Sequence, residues 1–240
     1  MTFYQSIATY YHLIFSTGKP QVEFVKNTEI AGKTQSVLDI GCAIGGLSAQ
    51  LCQHFGKVVG IDLDEGMIER AKEENDLPNL SFQELDMLKI EGICGAEAFD
   101  IVACFGNTLV HLDGTEEIAD FFVQARKVLK VGGKLLFQIV NYDRILDQNI
   151  TALPTLDKEE ITFERNYEYL PETHKIKFAT KFKVKATGEE TSNAIDLYPL
   201  RKAEAEELLR KAGFTKINFY SNFQRKPYEE NAMPLIVEAG

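Results

Sequence analysis

Between residues 36 and 140, short apolar runs alternate with longer amphipathic ones. Residues 36–40 read as a strand, and 46–55 follow as a helix because Leu47, Leu51 and Phe55 recur every four positions. Residues 58–61 predict a second strand, and 65–75 a helix with Met67, Ile68 and Ala71 inward. The stretch 80–85 alternates with period two as a third strand, and 99–104 is a fourth. A helix over 115–130 carries Ile118, Phe121, Phe122, Ala125, Val128 and Leu129 on one stripe. Gly132 and Gly133 suit a left-handed exit that stops this helix, and a fifth strand is expected over 134–141. Strands alternating with helices imply a parallel sheet covered on both faces. Right-handed crossovers then gather the loops at the carboxyl ends of the strands on one edge, where ligands bind.

After Asn141 the rhythm changes. Residues 161–169 alternate, 170–174 form a turn, and 175–185 place Ile176, Phe178, Phe182 and Val184 on one face. Lys175, Lys177, Lys181, Lys183 and Lys185 occupy the other face, as in a half-solvated antiparallel hairpin with Glu164 and Glu168 as partners. A third strand over 193–197 extends it. A helix over 201–212 follows, with Ala205, Leu208, Leu209 and Ala212 inward. The last two strands, 214–223 and 232–239, have no helix between them and must pair antiparallel. The expected fold is α/β: a Rossmann-like, seven-stranded, mostly parallel sheet with an antiparallel last pair, plus a small inserted antiparallel sheet. Residues 1–149 and 199–240 make the main domain, with an N-terminal helical segment at 1–33. Residues 150–198 are the insertion, a lid over the ligand edge or a dimerisation surface.

The chain has 240 residues, and 26 Lys+Arg against 36 Asp+Glu leave a net charge of −10. That charge argues against a nucleic-acid partner, whose phosphates need cations. Hydrophobic residues make up 45% and charged residues 26%, which excludes a disordered or coiled-coil chain. No apolar run approaches the ~18 residues of a spanning helix. The first residues, Met1-Thr-Phe-Tyr-Gln-Ser-Ile, lack the basic start and long apolar core of a signal peptide. Cys42, Cys52, Cys94 and Cys104 form no metal-spaced cluster and read as core residues in a reducing compartment. The expectation is a cytoplasmic monomer or homodimer without metal, membrane or nucleic acid.

The first strand runs into Asp39-Ile-Gly41-Cys42-Ala43-Ile-Gly45-Gly46. A glycine turn opening a helix lets backbone approach a ligand closely. The spacing is not the G-x-G-x-x-G of a dinucleotide fold, and Ala43 stands in the middle. Asp39, two residues before the first glycine, suits a cationic ligand better than a diphosphate. The second strand ends in Asp62, placed where nucleotide-binding α/β folds hold ribose hydroxyls, and the third in Leu85-Asp86-Met87. Acids at such places also cap the helices that follow. Three in register deliver Asp39, Asp62 and Asp86 to one edge.

These residues resemble the motifs of class I S-adenosylmethionine-dependent methyltransferases. The family's first motif, Asp/Glu-x-Gly-x-Gly-x-Gly, corresponds to residues 39–45, with Ala43 for the usual middle glycine. Asp62 matches the family's ribose-binding acid and Asp86 its adenine-contacting acid. Phe99-Asp100-Ile-Val matches the fourth-strand motif, Leu129-Lys-Val-Gly-Gly-Lys-Leu135 the one before the fifth, and Gly213-Phe214 the late turn. The resemblance covers most of residues 36–140 and 200–240. It implies S-adenosyl-L-methionine as cofactor, held by Asp39, Gly41, Cys42, Ala43, Gly45, Asp62, Leu63, Met67, Asp86, Met87, Phe105 and Gly106. The stretch Gly106-Asn107-Thr-Leu-Val-His111-Leu112 resembles that of glycine/sarcosine N-methyltransferases, between cofactor and a small-molecule acceptor. Asn107 holds either a backbone turn or a substrate group. His111 is a general base or a packed side chain. Tyr11, with Tyr4 and Tyr10, closes the site or packs in the core. An NAD-dependent oxidoreductase and a non-catalytic nucleoside-binding module are the competing readings.

Overall fold

The computed structural model describes residues 10–14, 18–30 and 35–240. In chain order the elements are α1 (Tyr11–Ile14), α2 (Lys19–Lys26), β1 (Ser36–Ile40), α3 (Gly46–Leu51), β2 (Lys57–Asp62), α4 (Glu65–Glu74) and β3 (Leu80–Glu84). They continue with α5 (Ile90–Cys94), β4 (Phe99–Cys104), α6 (Thr115–Val128), β5 (Leu129–Val140) and α7 (Tyr142–Asp147). The chain closes with β6 (Ala152–Asp157), β7 (Ile161–Leu170), β8 (Lys175–Val184), β9 (Glu190–Leu197), α8 (Lys202–Lys211), β10 (Ile217–Tyr220) and β11 (Pro234–Ala239). The main sheet has seven strands in the order β10-β11-β5-β4-β1-β2-β3. The first five strands of the chain pair in parallel, whereas β11 runs antiparallel to both β5 and β10. The strand order reverses between β1 and β4, so the crevice of an open α/β sheet opens there.

Both faces of the sheet are covered. Phe24, Val25, Leu47 and Leu51 from α2 and α3 meet Val37, Val58, Ile101 and Ala103 on one face. Ile90, Phe121, Phe122, Val128, Ala205 and Leu209 from α5, α6 and α8 meet Leu38, Ile40, Val102 and Phe137 on the other. This two-sided burial explains why β1 and β4 are buried along their whole length rather than alternating. A second sheet, β6-β7-β8-β9, is fully antiparallel. On its wet face Lys181 and Lys183 both reach Glu190, and Lys185 reaches Asp157. The expected Glu164 and Glu168 stand directly opposite Lys181 and Lys177 across β7 and β8, while the closest ion pairs run to Glu190 and Asp157.

Several elements differ from the expected ones. The first helix after β1 ends at Leu51, and Phe55 is buried from a turn. Gly132 and Gly133 do not stop α6; it ends at Val128 and β5 begins at Leu129. The two glycines instead form a bulge, because Phe99 pairs with Leu129 but Ile101 with Lys134. Gly132 has φ +81°, and a side chain on Gly133 would strike the Asp100 carbonyl. α7 and β6 were not expected. α7 is too short to show a helical period, and β6 carries Pro154, which an edge strand tolerates. Among the described residues no helix is long and apolar enough to cross a membrane.

The bulge serves one buried carboxylate. Asp100 Oδ2 accepts from Ser36 N–H (2.7 Å), Ser36 Oγ (2.9 Å) and Lys130 Nζ (2.8 Å), joining the starts of β1, β4 and β5. Burial opposes its charge, but these donors outweigh that and hold its pKa below the usual carboxylate range. Asp100→Ala leaves buried donors unpaired and is expected to cost about 1–3 kcal/mol, lowering Tm by roughly 2–12 °C. Because the folded pKa is depressed, the stabilisation is present above the unfolded carboxylate value. It is lost as pH falls through the folded one. Thermal unfolding of both proteins from pH 7 to pH 2 should therefore show the gap closing in acid.

Candidate functional site

At the carboxyl ends of β1–β4 lies a cleft of about 440 Å³, within the size range of small-molecule sites. Ile40, Gly41, Ala43, Ile61, Asp62, Leu63, Met67, Leu85, Asp86, Met87, Gly106, Thr108, His111 and Leu112 contribute its walls, together with Asp64. The strand alternation delivers them. Each parallel strand ends on this edge and hands over to a loop, and β1 hands over in five residues. Gly41 and Gly45 take φ +70° and +78°, and Ala43 takes φ +48°. A side chain on Gly41 would meet Thr108, so only glycine lets the β1 loop lie against the β4 loop.

Asp62 closes β2 and organises this corner. One oxygen accepts from the Ala43 N–H (2.9 Å) and the other from the Asp64 N–H (3.1 Å). Burial raises its pKa, with these backbone donors opposing the rise. Each carboxylate oxygen accepts more than one hydrogen bond, so capacity remains toward the cleft. Leu63 beside it is 71% exposed, an apolar surface left open along the wall. Asp86 accepts from the Leu88 N–H (2.9 Å), so it caps the short turn Met87–Lys89 as well as lining the cleft.

At the other end stands the turn Thr108–His111. His111 is exposed at the mouth, yet the protein around it desolvates the ring and holds its pKa below the ordinary histidine value. The imidazole is therefore neutral at pH 7 and able to accept a proton. Asn107, with φ +69°, does not line the cleft. Its Oδ1 accepts from Val140 N–H (2.9 Å), and its Nδ2 donates to the Tyr142 hydroxyl (3.0 Å). The Gly106 N–H donates to Gln138 Oε1 (3.0 Å). Of the two roles open to Asn107, the structure carries the backbone turn.

Other residues expected at the site stand behind it. Asp39 is buried and accepts from Ser48 Oγ (2.6 Å), tying β1 to α3. Cys42 packs with Ile68, Ala71 and Phe82 under the loop, and Gly45 caps α3 against Phe82. The Phe105 ring meets Phe24 (6.3 Å) and Phe223 (5.3 Å), away from the cleft walls. Tyr10 lies against Phe182 (5.6 Å) of the second sheet. The side chain of Tyr11, and all of Tyr4, lie outside the described residues. Thr108, Leu112, Ile40, Ile61 and Leu85 line the cleft without having been singled out; their apolar or hydroxyl character carried no chemical signal.

The strand order and the cleft at its switch point match an α/β methyltransferase fold, and the antiparallel final pair disfavours the oxidoreductase alternative. Residues 37–133 match the family model described as a methyltransferase domain. A methyltransferase-named protein of Geobacillus sp. (strain WCH70) is 27% identical over 192 residues, covering 78% of this chain and 76% of its own. A glycine/sarcosine N-methyltransferase of Aphanothece halophytica is 28% identical over 135 residues, 56% of this chain and 49% of that protein. The crystal structure of an S-adenosylmethionine-dependent methyltransferase from Clostridium acetobutylicum ATCC 824 superposes with TM-score 0.76 at 17% identity, over 99% of this chain and 98% of that one. The matched domain and the methyltransferase-named relatives support an S-adenosylmethionine-dependent methyltransferase, and the solved neighbour shows the fold.

The buried Asp39 generates a pH prediction. Burial is the main cause of its pKa being raised to about 7, aided by the nearby Asp62 and opposed by Ser48. A raised folded pKa means stability that is full below the unfolded value and falls as pH rises through the folded one. Asp39→Asn should therefore remove a stability loss between about pH 4 and pH 7. Denaturant midpoints of both proteins across that window should converge at the acid end and separate toward pH 7.

Proposed function

We propose that the protein transfers a methyl group from S-adenosyl-L-methionine to a small-molecule acceptor, with the nucleoside along β1–β3 and the acceptor beside His111. The observation that carries this reading is one cleft with Asp62 and Asp86 at one end and His111 at the other. The walls suit the cofactor. Two carboxylates on adjacent strand ends offer acceptors for ribose hydroxyls and the adenine amino group, while Ile40, Ile61, Leu63 and Met87 offer apolar cover. The A. halophytica relative, named for glycine and sarcosine, supports a small acceptor, and the charge of −10 disfavours nucleic acid.

When bound, S-adenosylmethionine supplies a sulfonium methyl group to an attacking lone pair, leaving the sulfide. The protein's part is positioning and water exclusion. Asp62 orients the ribose, the Gly41–Thr108 contact sets the depth of the cleft, and neutral His111 takes the proton that an amine or hydroxyl acceptor gives up. Residues 150–198 act as the lid, supported by two ties to the acceptor turn. Tyr198 N–H donates to the Val110 carbonyl (2.9 Å), and Lys175 pairs with Asp113.

Asp62→Ala should weaken S-adenosylmethionine binding by roughly 10- to 150-fold, the worth of about 1.5–3 kcal/mol for charged acceptor bonds. Isothermal titration checks it, and unchanged affinity would remove Asp62 from the site. His111→Ala should lower kcat by about 10²–10⁴-fold with cofactor affinity unchanged. The wild-type rate should fall below a pKa lower than ordinary histidine, and the variant should lose that acid limb. A fall in Tm without a fall in kcat would make His111 a packing residue. Nucleoside binding without release of S-adenosylhomocysteine across a panel of amine and hydroxyl acceptors would favour a binding module.

A further inference from the structure

Two successive residues after β4 adopt left-handed backbone, and they are supported from one side. Gly106 takes φ +74° and Asn107 φ +69°, and a side chain placed on Gly106 would meet open space. Asparagine tolerates this conformation without preferring it. The support comes from the end of β5 and the start of α7. The Asn107 N–H donates to the Gln138 carbonyl (3.2 Å), Asn107 Oδ1 accepts from Val140 N–H (2.9 Å), and Nδ2 donates to the Tyr142 hydroxyl (3.0 Å). Asn107 is the N-cap of the turn Thr108–His111 yet makes no side-chain cap bond to it. Its amide is committed to the elements behind.

Tyr142 opens α7 and is completely buried. Phenylalanine would meet a packing need alone, since a buried hydroxyl is unfavourable unless it is hydrogen-bonded. Among the described residues that hydroxyl bonds to Asn107 alone, at 3.0 Å to Nδ2 and 3.4 Å to Oδ1. Burial pushes the phenol pKa far above its ordinary value, so the group stays a neutral partner. Asn107 stands between Gly106 and Thr108, which both line the cleft, and the turn that starts at Thr108 ends at His111, which lines it too. Tyr142 itself does not line the cleft, so whatever it does for the reaction it does through Asn107.

We infer that Tyr142 is a positioning residue for methyl transfer: through the Asn107 amide it holds the left-handed turn that presents His111 to the cleft. This rests on the reading of the cleft given above, and it adds the buried hydroxyl on which the placement of His111 depends.

The test is a double-mutant cycle on the full chain, made of Tyr142→Phe, Asn107→Gly and the pair. Proton NMR follows the His111 ring as pH is varied, its signal identified by its loss in His111→Gln. Desolvation holds the wild-type ring below the ordinary histidine value. Tyr142→Phe should loosen the turn, admit water to the ring and raise its pKa toward that value, while the other histidine signals overlay those of wild type. Glycine adopts left-handed backbone freely but cannot reach Tyr142, so Tyr142→Phe should add nothing in the Asn107→Gly background. Calorimetry should place S-adenosylhomocysteine affinity within about twofold of wild type in every variant. On amine and hydroxyl acceptors, glycine among them, Tyr142→Phe should lower kcat roughly 10- to 100-fold at unchanged cofactor KM. Asn107→Leu removes the same bond from its other end and gives the answer if Tyr142→Phe does not fold. An unshifted His111, an unchanged kcat, or an effect of Tyr142→Phe that survives intact beside Asn107→Gly overturns the inference. Absence of turnover by wild type on every acceptor counts against the methyl-transfer reading alone, and the His111 titration then decides whether Tyr142 holds the turn.

Discussion

The carboxylate of Asp62 is the constraint on which the ligand edge depends. The β1 loop must turn from a buried strand into α3 in five residues, and it does so through three left-handed positions. Two are glycines, for which that conformation is free. The third is Ala43, for which it costs about 1–2 kcal/mol. The Ala43 N–H donates to Asp62, so the strained residue is held by a charge-assisted bond from the neighbouring strand. The same carboxylate holds the Asp64 N–H, and Asp64 in turn caps α4 at the Met67 N–H. One side chain thus fixes the relative position of two loops and a helix start. An alanine in place of a motif glycine is tolerable because this bond is present.

The far wall of the cleft is fixed by a second set of bonds with the same logic. Gly106 and Asn107 follow β4 in left-handed conformations, and their partners come from Gln138 and Val140 at the end of β5 and Tyr142 at the start of α7. Tyr142 is fully buried, and its burial pushes the phenol pKa far above the ordinary value, so it stays a neutral hydrogen-bonding group. Val110 then meets Tyr198 at the exit of β9. The inserted sheet is consequently tied directly to the turn that carries His111.

Legibility in the sequence followed the physics of each element. The parallel core was readable because burial on both faces writes continuous apolar strands, and because Leu, Ile and Phe recur at helical spacing in α4, α6 and α8. The edge acids were readable for a different reason: a charge at the end of an apolar strand is costly unless used, so Asp62 and Asp86 stand out. Asp39 stands out equally, but the sequence could not tell a carboxylate facing a ligand from one buried against Ser48; that depends on which way β1 turns its side chains. Gly132 and Gly133 show the same limit. A left-handed glycine pair fits a helix stop and a strand bulge alike, and only the tertiary contact with Asp100 decides.

The distribution of strain and charge now has a simple arrangement. The stabilising material, two apolar layers around β1, β4 and β5, lies away from the ligand edge and owes nothing to it. The costs are gathered at that edge: Ala43 and Asn107 in left-handed backbone, two carboxylates at adjacent strand ends and an exposed Leu63. Each is a feature that a protein selected for stability alone would remove, since left-handed backbone and desolvated charge both oppose folding. An amphipathic nucleoside would cover Leu63 and use the acceptor capacity of Asp62 and Asp86. The unfavourable features are therefore gathered at the edge where a nucleoside would meet the strand ends, so binding energy would be spent where alignment is needed.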